Sequence, residues 1–583
     1  MSLRSSVPDP LVGPARRVRD AVRDATAGQR SGWAASRRRR RVEAKVDAPT
    51  PPSGETRVSA AVCATPRLAV GLRGRWDVTE VLVLQGVDAV ERADLFLVEL
   101  RGAAPATATL TTVVHLIARA RAAGVPVALW STEAALHEWD PEALEALLAD
   151  TERREGIRLY VDDEARATQW AEVSGLPTAF LPPAAAPEIH APRHVGRLAH
   201  REEGIALVAG ERPDVATYAP APADRLDARV VRSIDDLPGD RPVLGHYRAV
   251  AATGGHPGLA WSVVEAAMAG TSIVVDSATA PLLPARLRPH VTLADDEEAL
   301  RLDVIARLWQ DEVVEREALV AARAARTGHT LGHRAHVIEQ DAAITGSHVC
   351  RDVSLVVSTN RAHELDNVTE NVLRQAEHAN GTVQLVLVLH GLDLDPAAVR
   401  KDLRAKGVTN VEVIAADKEL TLGACLNLGV DASDGKYVAK VDDDNFYGRH
   451  YLTDLLDCFT HSGAGIVGKW AHYTWLRSSG AVVLRFPYAE HRFEKLVQGG
   501  TIILDRDVVT DLRFGDLPRA VDTDILTRAT EAGVRTWSGD RFNFVSVRGV
   551  DRHAHTWPIA DTALMNRAGH VAFFGDPREH VEV

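Results

Sequence analysis

Short apolar runs alternate with helical patterns along most of the chain beyond residue 57. A buried strand followed by a helix and another buried strand returns in parallel, so this alternation dictates α/β layers. Between 57 and 335, EVLVLQG, ADLFLVEL, VPVALWSTE, IRLYVDDEA, TAFLPP, GIALVAG, RPVLGHY and TSIVVDSA read as strands. TLTTVVHLIARARAAG and LAWSVVEAAMAG read as helices, each closed by glycine. These strands suffice for two small sheets, divided by the connector PEIHAPRHVGRLAHREEG near 190–203. The charged stretch 313–344 reads as helical, packing over the sheet or bridging onward. VSLVVSTNR (353–361) then opens a further unit. It continues with helices at 365–378, 396–407 and 421–433, and with strands VQLVLVLHG (383–391) and VEVIAAD (411–417). The expected divisions are a tail at 1–56, α/β lobes at 57–195 and 196–335, a linker at 336–352 and a domain at 353–583.

A chain of 583 residues is too long for one core. Its net charge of -13 argues against broad nucleic-acid binding, which needs a basic face. The four cysteines, Cys63, Cys350, Cys425 and Cys458, form no CxxC pair, so neither a disulfide framework nor a zinc knuckle is expected. No apolar run reaches the roughly 18 residues that a membrane span requires. The N-terminus has arginine but no hydrophobic region behind it, so a signal peptide is not expected. The tail 1–56, with Arg37–Arg41, reads as basic and disordered; the sharper reading is a loose tether to anionic lipid or another polyanion. A cytoplasmic protein, peripheral at the inner face of the membrane through that tail, is the expected setting.

Within DGKYVAKVDDDNFYGRHYL (434–452), three acids, Asp442, Asp443 and Asp444, follow an apolar strand. Adjacent carboxylates repel, and a turn needs only one of them. In open α/β sheets ligands bind at the carboxyl ends of strands. A hard divalent cation prefers oxygen ligands, and Mg²⁺ commonly takes one or two carboxylates plus substrate phosphates. Asp-x-Asp at a strand end therefore suits a metal diphosphate. A calcium loop beginning at Asp442 would need glycine at its sixth position and glutamate at its twelfth; Tyr447 and Thr453 stand there.

From about 350 to 575 the chain resembles a family 2 glycosyltransferase with the GT-A fold. VSLVVSTNR resembles the family's nucleotide-binding entry, and LGACLNLGVDASDGKYVAKVDDDN resembles the segment leading into Asp-x-Asp. QGGTIILDRDVV (498–509) resembles the acceptor-side glycine-rich strand, and AVDTDILTRATEAG (520–533) the segment that carries the base. The resemblance implies a nucleotide-sugar donor, a glycan or other hydroxyl acceptor, and Mn²⁺ or Mg²⁺ as cofactor. It implies nucleotide contacts at Thr359, Arg361, Asn427, Asp442 and Asp443, metal ligands at Asp442 and Asp444, and a catalytic base at Asp522; His555 is a further metal-ligand candidate, because histidine is a common ligand. Asp522 also reads as the N-cap of helix 523–532, Asp524 as the alternate base, and His555 as packing beside Trp557. Two positions depart from the pattern. His390 and Gly391 stand where the family's second strand ends in an acidic pair, and Val521 stands where a glutamate precedes the base.

Residues 57–335 are more distantly similar to GT-B glycosyltransferases, including spore-coat maturation types. ALWSTE, TAFLPPAAAPEIHAP and GHPGLAWSVVEAAMAGTSIVVDSA (255–278) carry this likeness. It implies that Glu265 contacts a ribose and that the helix start after Gly254–Gly255–His256 holds a diphosphate without metal. Arg248 is a further phosphate candidate, whereas Trp130 and His256 read as structural. The family's paired glutamate is replaced by Pro257, and Glu265 equally reads as an ordinary helix carboxylate. The expected whole is a two-lobed GT-B-like α/β region followed by a GT-A domain that transfers sugar, with inversion, in cell-surface or cell-wall glycan synthesis. The rival readings are a two-headed transferase with both halves active, and an N-terminal half that serves only as an acceptor or assembly platform. A nucleotidyltransferase is disfavoured, because no glycine-rich, lysine-bearing phosphate loop lies near residue 360.

Overall fold

The computed structural model describes residues 57–583 except 82–85, 102–103, 106–109, 133–154, 193–202, 210–228, 232–242, 347–349, 376–380, 551–559 and 567. The expected tail at 1–56 and His555 lie outside the described residues.

The first sheet runs Asp77–Glu80, Ser59–Cys63, Leu95–Arg101, Val127–Ser131, Ile157–Val161 and Thr178–Phe180, all parallel, with Ala104–Pro105 added antiparallel. Side chains alternate along its strands. Phe96, Val98 and Leu100 enter the core on one face, while Leu95 and Leu97 enter the core on the other. The second sheet is also parallel, in the order Thr292–Ala294, Ser272–Asp276, Tyr247–Thr253, Glu203–Ala209 and Arg229–Val231. Parallel strands are covered on both faces, which is why they read as continuous apolar runs.

Two interior strands differ from the sequence reading. The strand beside Leu95–Arg101 is Ser59–Cys63, and EVLVLQG begins only where the edge strand Asp77–Glu80 ends. In the second sheet RPVLGHY forms the 3₁₀ turn Val243–His246, and the strand follows at Tyr247–Thr253. SAAVC and YRAVAAT are rich in alanine and carry little of the bulky β-branched signal that marks a strand.

The helical stretch 313–344 is two helices, Asp311–Gly328 and Leu331–Asp341. They part because the backbone at His329–Leu331 bonds to Ala185 on both sides, at 2.9 and 2.8 Å. Thr330 then caps the second helix through the His333 N–H. The division expected at 335/336 falls inside that helix, whose Leu331, Ala335 and Ile338 lie in the first sheet's core. The longer helix spends Ala321 and Ala325 on the second sheet. Its Leu319 packs with Phe446, Tyr473 and Phe542 of the following region, and Arg323 pairs with Asp454 through two bonds of 3.0 and 2.9 Å.

The eight-stranded mixed sheet that follows has the order Val411–Ala416, Val383–His390, Val353–Thr359, Tyr437–Lys440, Ile503–Asp505, Ile466–Gly468, Thr536–Ser538 and Arg492–Glu494. Its first four strands are parallel and Ile503–Asp505 is antiparallel. The chain steps outward from Val353–Thr359 through two strands, then crosses back to lay Tyr437–Lys440 on the other side. That reversal opens a crevice at the carboxyl ends of Val353–Thr359 and Tyr437–Lys440, the place where open α/β sheets take ligands. A second sheet, Phe446–Tyr447, Phe544–Arg548, His472–Leu476, Ala481–Arg485 and Gly569–Phe574, flanks it.

Candidate functional site

The crevice collects Thr359 and Arg361 from the first strand and Asp442–Asp444 from the fourth. Thr359 Oγ1 donates to Asp443 Oδ2 at 2.5 Å. Arg361 donates through Nη2 to Asp443 Oδ1, through Nε to Asp443 Oδ2 at 3.2 Å, and through Nη1 to Asp444 Oδ2 at 3.0 Å. The acidic turn is held from behind by helix Leu365–Arg374. Asn367 donates to the Asp443 and Asn445 carbonyls at 2.6 and 3.2 Å, and Asn371, one turn on, donates to the Asn445 carbonyl at 2.9 Å. The Asp442 N–H donates to the Tyr447 hydroxyl, which donates to the Gly500 carbonyl at 2.7 Å. The asparagine and tyrosine bonds fix the backbone of the acidic turn, while Thr359 and Arg361 hold the Asp443 and Asp444 carboxylates themselves.

Lys440 links this triplet to the region around Asp522. It sits in a strand with 5% of its surface exposed. Its Nζ lies 2.6 Å from Asp442 Oδ1, 3.2 Å from the Gly499 carbonyl and 3.2 Å from Asp522 Oδ1. Burial opposes its charge, but the Asp442 and Asp522 carboxylates outweigh burial and hold its pKa above the ordinary value. Burial raises the pKa of Asp522; the Lys440 ammonium opposes that rise and the Asp442 charge adds to it. Asp522 is not the N-cap of its helix. The helix is Val521–Glu531, and its cap position is Ala520 in the left-handed region at φ 60°. Asp522 therefore stands in the first turn, facing Gly499, where an added Cβ would lie 2.1 Å from its Oδ2. A Cβ on Gly500 would meet Asp442 Oδ2 at 2.6 Å. The glycine pair is what lets the turn pass between the two acids. Asp524 is held by Arg528, four residues on, at 2.9 and 2.7 Å.

Charge decides what this arrangement suits. Four carboxylates, Asp442, Asp443, Asp444 and Asp522, touch two cations, Lys440 and Arg361. Two negative charges are left over, the complement of one divalent cation. Arg548 also feels Asp444 but shares its charge with Asp561. Burial, then the neighbouring Asp442, push Asp444 up to about 6 even with Arg361 against it. Among the described residues no three His, Cys, Asp or Glu side chains gather as a complete ligand set. Asp442 and Asp444 are the pair on offer, which is the number Mg²⁺ commonly takes when phosphates and water complete its shell.

Three other expectations turn out differently. Asn427 does not face the crevice chemistry: its amide donates to the Phe514 carbonyl at 2.9 Å and accepts from the Phe514 N–H at 3.0 Å, clamping a loop. Arg248 is spent on the Arg307 carbonyl and Asp311, at 2.9 and 2.6 Å, and so does not face a phosphate. The amides of Gly254 and Gly255 are taken by Asp276 and Thr279, and that of Gly258 by His256, so this helix start has no free diphosphate cradle. Glu265 is buried in helix Leu259–Met268 against Arg67, with His190 Nε2 at 3.4 Å. A small cavity of about 20 Å³ adjoins it, lined by Glu99, Thr132 and Trp261 among others. Trp130 is buried and packs against Trp261 at 6.0 Å, as a structural residue would.

Sequence reasoning missed Lys440, Asn367, Asn371, Tyr447 and the role of Gly499. A lysine within the apolar run YVAKV was the one visible signal. The two asparagines share a helix face by their spacing of four, which becomes meaningful only once their acceptors are known.

Residues 354–505 match the model of glycosyl transferase family 2. That segment holds Thr359, Arg361, Lys440 and Asp442–Asp444 and ends before Asp522. No match is found among curated proteins. Among solved structures the chain is similar to S. aureus TarS 1–349 in complex with UDP-GlcNAc, at 15% identity and a TM-score of 0.29, over 34% of this chain and 59% of that one. It is also similar to the mannosyltransferase PcManGT from Pyrobaculum calidifontis in complex with GDP-Man and Mn²⁺, at 17% identity and a TM-score of 0.27, over 34% and 56%. The chain thus covers less than two thirds of either of those proteins. Residues 354–505 are a family 2 glycosyl transferase domain within this chain.

Proposed function

We propose that this protein moves a sugar from a nucleotide-sugar to a hydroxyl of a glycan acceptor, with inversion, at the crevice between Arg361, Asp442–Asp444 and Asp522. One observation carries the reading. Asp522, some eighty residues beyond the triplet, meets the same buried ammonium, Lys440, as Asp442 does. That contact supports reading Asp522 as a base beside a cluster suited to a metal diphosphate.

In this mechanism the acceptor oxygen attacks the anomeric carbon as the bond from that carbon to the diphosphate oxygen breaks. Asp522 takes the hydroxyl proton, and the electron pair leaves with the nucleoside diphosphate. The base and the leaving group lie on opposite faces of the sugar, as in single-step inverting chemistry. Asp442 and Asp444 would hold Mn²⁺ or Mg²⁺, which neutralises diphosphate charge when bound. Asp443, fixed by Thr359 and Arg361, faces the ribose. Lys440 keeps Asp522 beside the reacting centre, and Gly499 leaves room for the acceptor.

The site reading extends to cell-surface or cell-wall glycan synthesis at the cytoplasmic side of the membrane, with the basic tail 1–56 as the contact to anionic lipid. No helix among the described residues is long and apolar enough to cross a membrane. A second reading concerns the N-terminal half. The pairing of Glu265 with Arg67 and His190, and the occupied amides at Gly254–Gly258, favour a non-catalytic platform over a second transferase centre. The test is a donor screen with Mn²⁺ or Mg²⁺, followed by proton NMR of the product's anomeric configuration. Inverted product formed only with added cation is expected; retained configuration would overturn the direct displacement.

A further inference from the structure

The acidic triplet already has a cation on it. Arg361 lies with 30% of its side chain exposed, beside Asp443 at 5% and Asp444 at 21%. Its guanidinium is divided unequally. Nε and Nη2 grip both oxygens of the buried Asp443, while Nη1 alone reaches Asp444. The Asp443 contacts are a two-point fork of the kind that orients arginine firmly. The Asp444 contact is a single bond at the more open end. Lys440 serves Asp442 and Asp522 and does not reach Asp444 in this arrangement. Of the bonds Arg361 makes, the one to Asp444 is therefore the most readily exchanged.

A divalent cation and a guanidinium N–H compete for the same carboxylate lone pairs. We propose that Arg361 is a displaceable counter-ion, which holds Asp444 while the crevice lacks donor and swings Nη1 onto the donor diphosphate when a divalent cation takes that carboxylate. This inference rests on the metal-diphosphate reading of the crevice and adds its regulation. The fork on Asp443 acts as a pivot, so only one bond is exchanged. Arginine suits both positions, since its planar donors match carboxylate and phosphate alike. The exchange couples the two ligands. The cation alone must displace Nη1 with nothing to receive it, whereas nucleoside diphosphate supplies the receiving oxygen. Free cation then binds weakly, and each ligand strengthens the other by the same factor. The site is thereby kept from filling with metal in the absence of donor.

The test measures Mn²⁺ binding to the full chain by electron paramagnetic resonance, with and without UDP or GDP. Wild type is compared with Arg361→Met, Arg361→Lys and Asp444→Asn, each checked for folding by circular dichroism. Arg361→Met is expected to bind Mn²⁺ about tenfold more tightly without nucleotide, and to show less strengthening by nucleotide, within the usual range of coupling. Arg361→Lys, with one compact charge, is expected to fall between and serves if the methionine variant does not fold. A brace that merely shapes the triplet would weaken Mn²⁺ binding when removed. Unchanged or weaker binding in Arg361→Met, with binding still lost in Asp444→Asn, would overturn the exchange and leave the metal reading intact. No Mn²⁺ binding in any form, or binding indifferent to Asp444→Asn, would overturn both.

Discussion

Two acids in this molecule, Glu265 and Asp522, sit beside cations near the carboxyl ends of parallel strands, yet their surroundings differ in kind. Glu265 faces Arg67 and His190, and the backbone donors nearby are used by Asp276, Thr279 and His256. Asp522 shares one ammonium with Asp442, next to two further carboxylates that share one guanidinium. In the first cluster Glu265 is matched by Arg67, and the neighbouring Glu99 is held by the Thr65 and Thr132 hydroxyls at 2.8 and 2.6 Å. The second carries an excess of two negative charges at a topological switch point. Unmatched buried charge costs stability and persists where a ligand completes it. Burial and cation contact are common to both clusters; the two unmatched charges in the crevice are what favour it over the first as a candidate ligand site.

The comparison can be broken at several points. The largest effect is expected from Asp522→Asn, which should lower sugar transfer by ~10³-fold, near the middle of what a general base supplies. Nucleotide binding measured by calorimetry should stay nearly constant; a loss of less than tenfold in transfer would return Asp522 to a structural role. Glu265→Leu should act on the other axis. Leaving Arg67 buried without its carboxylate should cost about 3 kcal/mol in denaturant unfolding, and soluble enzyme should keep its turnover. Loss of turnover at full stability would make the N-terminal cluster part of the chemistry. Gly499→Ala should displace Asp522 and reduce transfer by ~10²-fold with little change in melting temperature. An unaffected enzyme would mean that the close approach of Gly499 and Asp522 does not matter.

The smallest effect concerns pH, at the junction between the long helix Asp311–Gly328 and the transferase domain. There Arg541 faces three carboxylates, Glu312, Glu315 and Glu490. Burial, then Asp540, push Glu490 up to about 8, against its bond from the Arg541 N–H and the Lys469 charge. Because the folded-state value is raised, the folded chain binds the proton more tightly than the unfolded chain. Its contribution to stability is present at low pH and is lost as pH rises from about 4.5 to about 8. Glu490→Gln keeps a neutral side chain throughout. Wild type should therefore lose more melting temperature than Glu490→Gln between pH 6 and 9 on roughly that scale. Parallel curves would show that Glu490 stays ionised against Arg541.

Much of this was legible in the sequence where bulky side chains or strings of charge made the signal. VSLVVST and VQLVLVLH are strands in the places expected, and the helix at 421–433 appears as Leu422–Asp431. The acidic triplet stands at a strand end. Strands built largely of alanine were missed, because SAAVC and YRAVAAT bury most of their residues with few of the branched side chains that advertise a strand. The break at 329–331 was hidden because its cause, pairing with Ala185, lies well over a hundred residues away. Asn427 was misplaced for the same reason: its partner, Phe514, is distant in sequence and joined by backbone. Lys440 was visible as an oddity, but its meaning depended on Asp522 arriving from a later helix.

The most direct test measures nucleoside diphosphate release from a nucleotide-sugar by the full chain with Mn²⁺, side by side in wild type, Asp444→Ala and Glu265→Gln. If the charge-unbalanced crevice does the chemistry, release should fall by ~10² or more in Asp444→Ala and persist in Glu265→Gln. Release that survives in Asp444→Ala and fails in a folded Glu265→Gln would contradict the account and move the active centre to the N-terminal half.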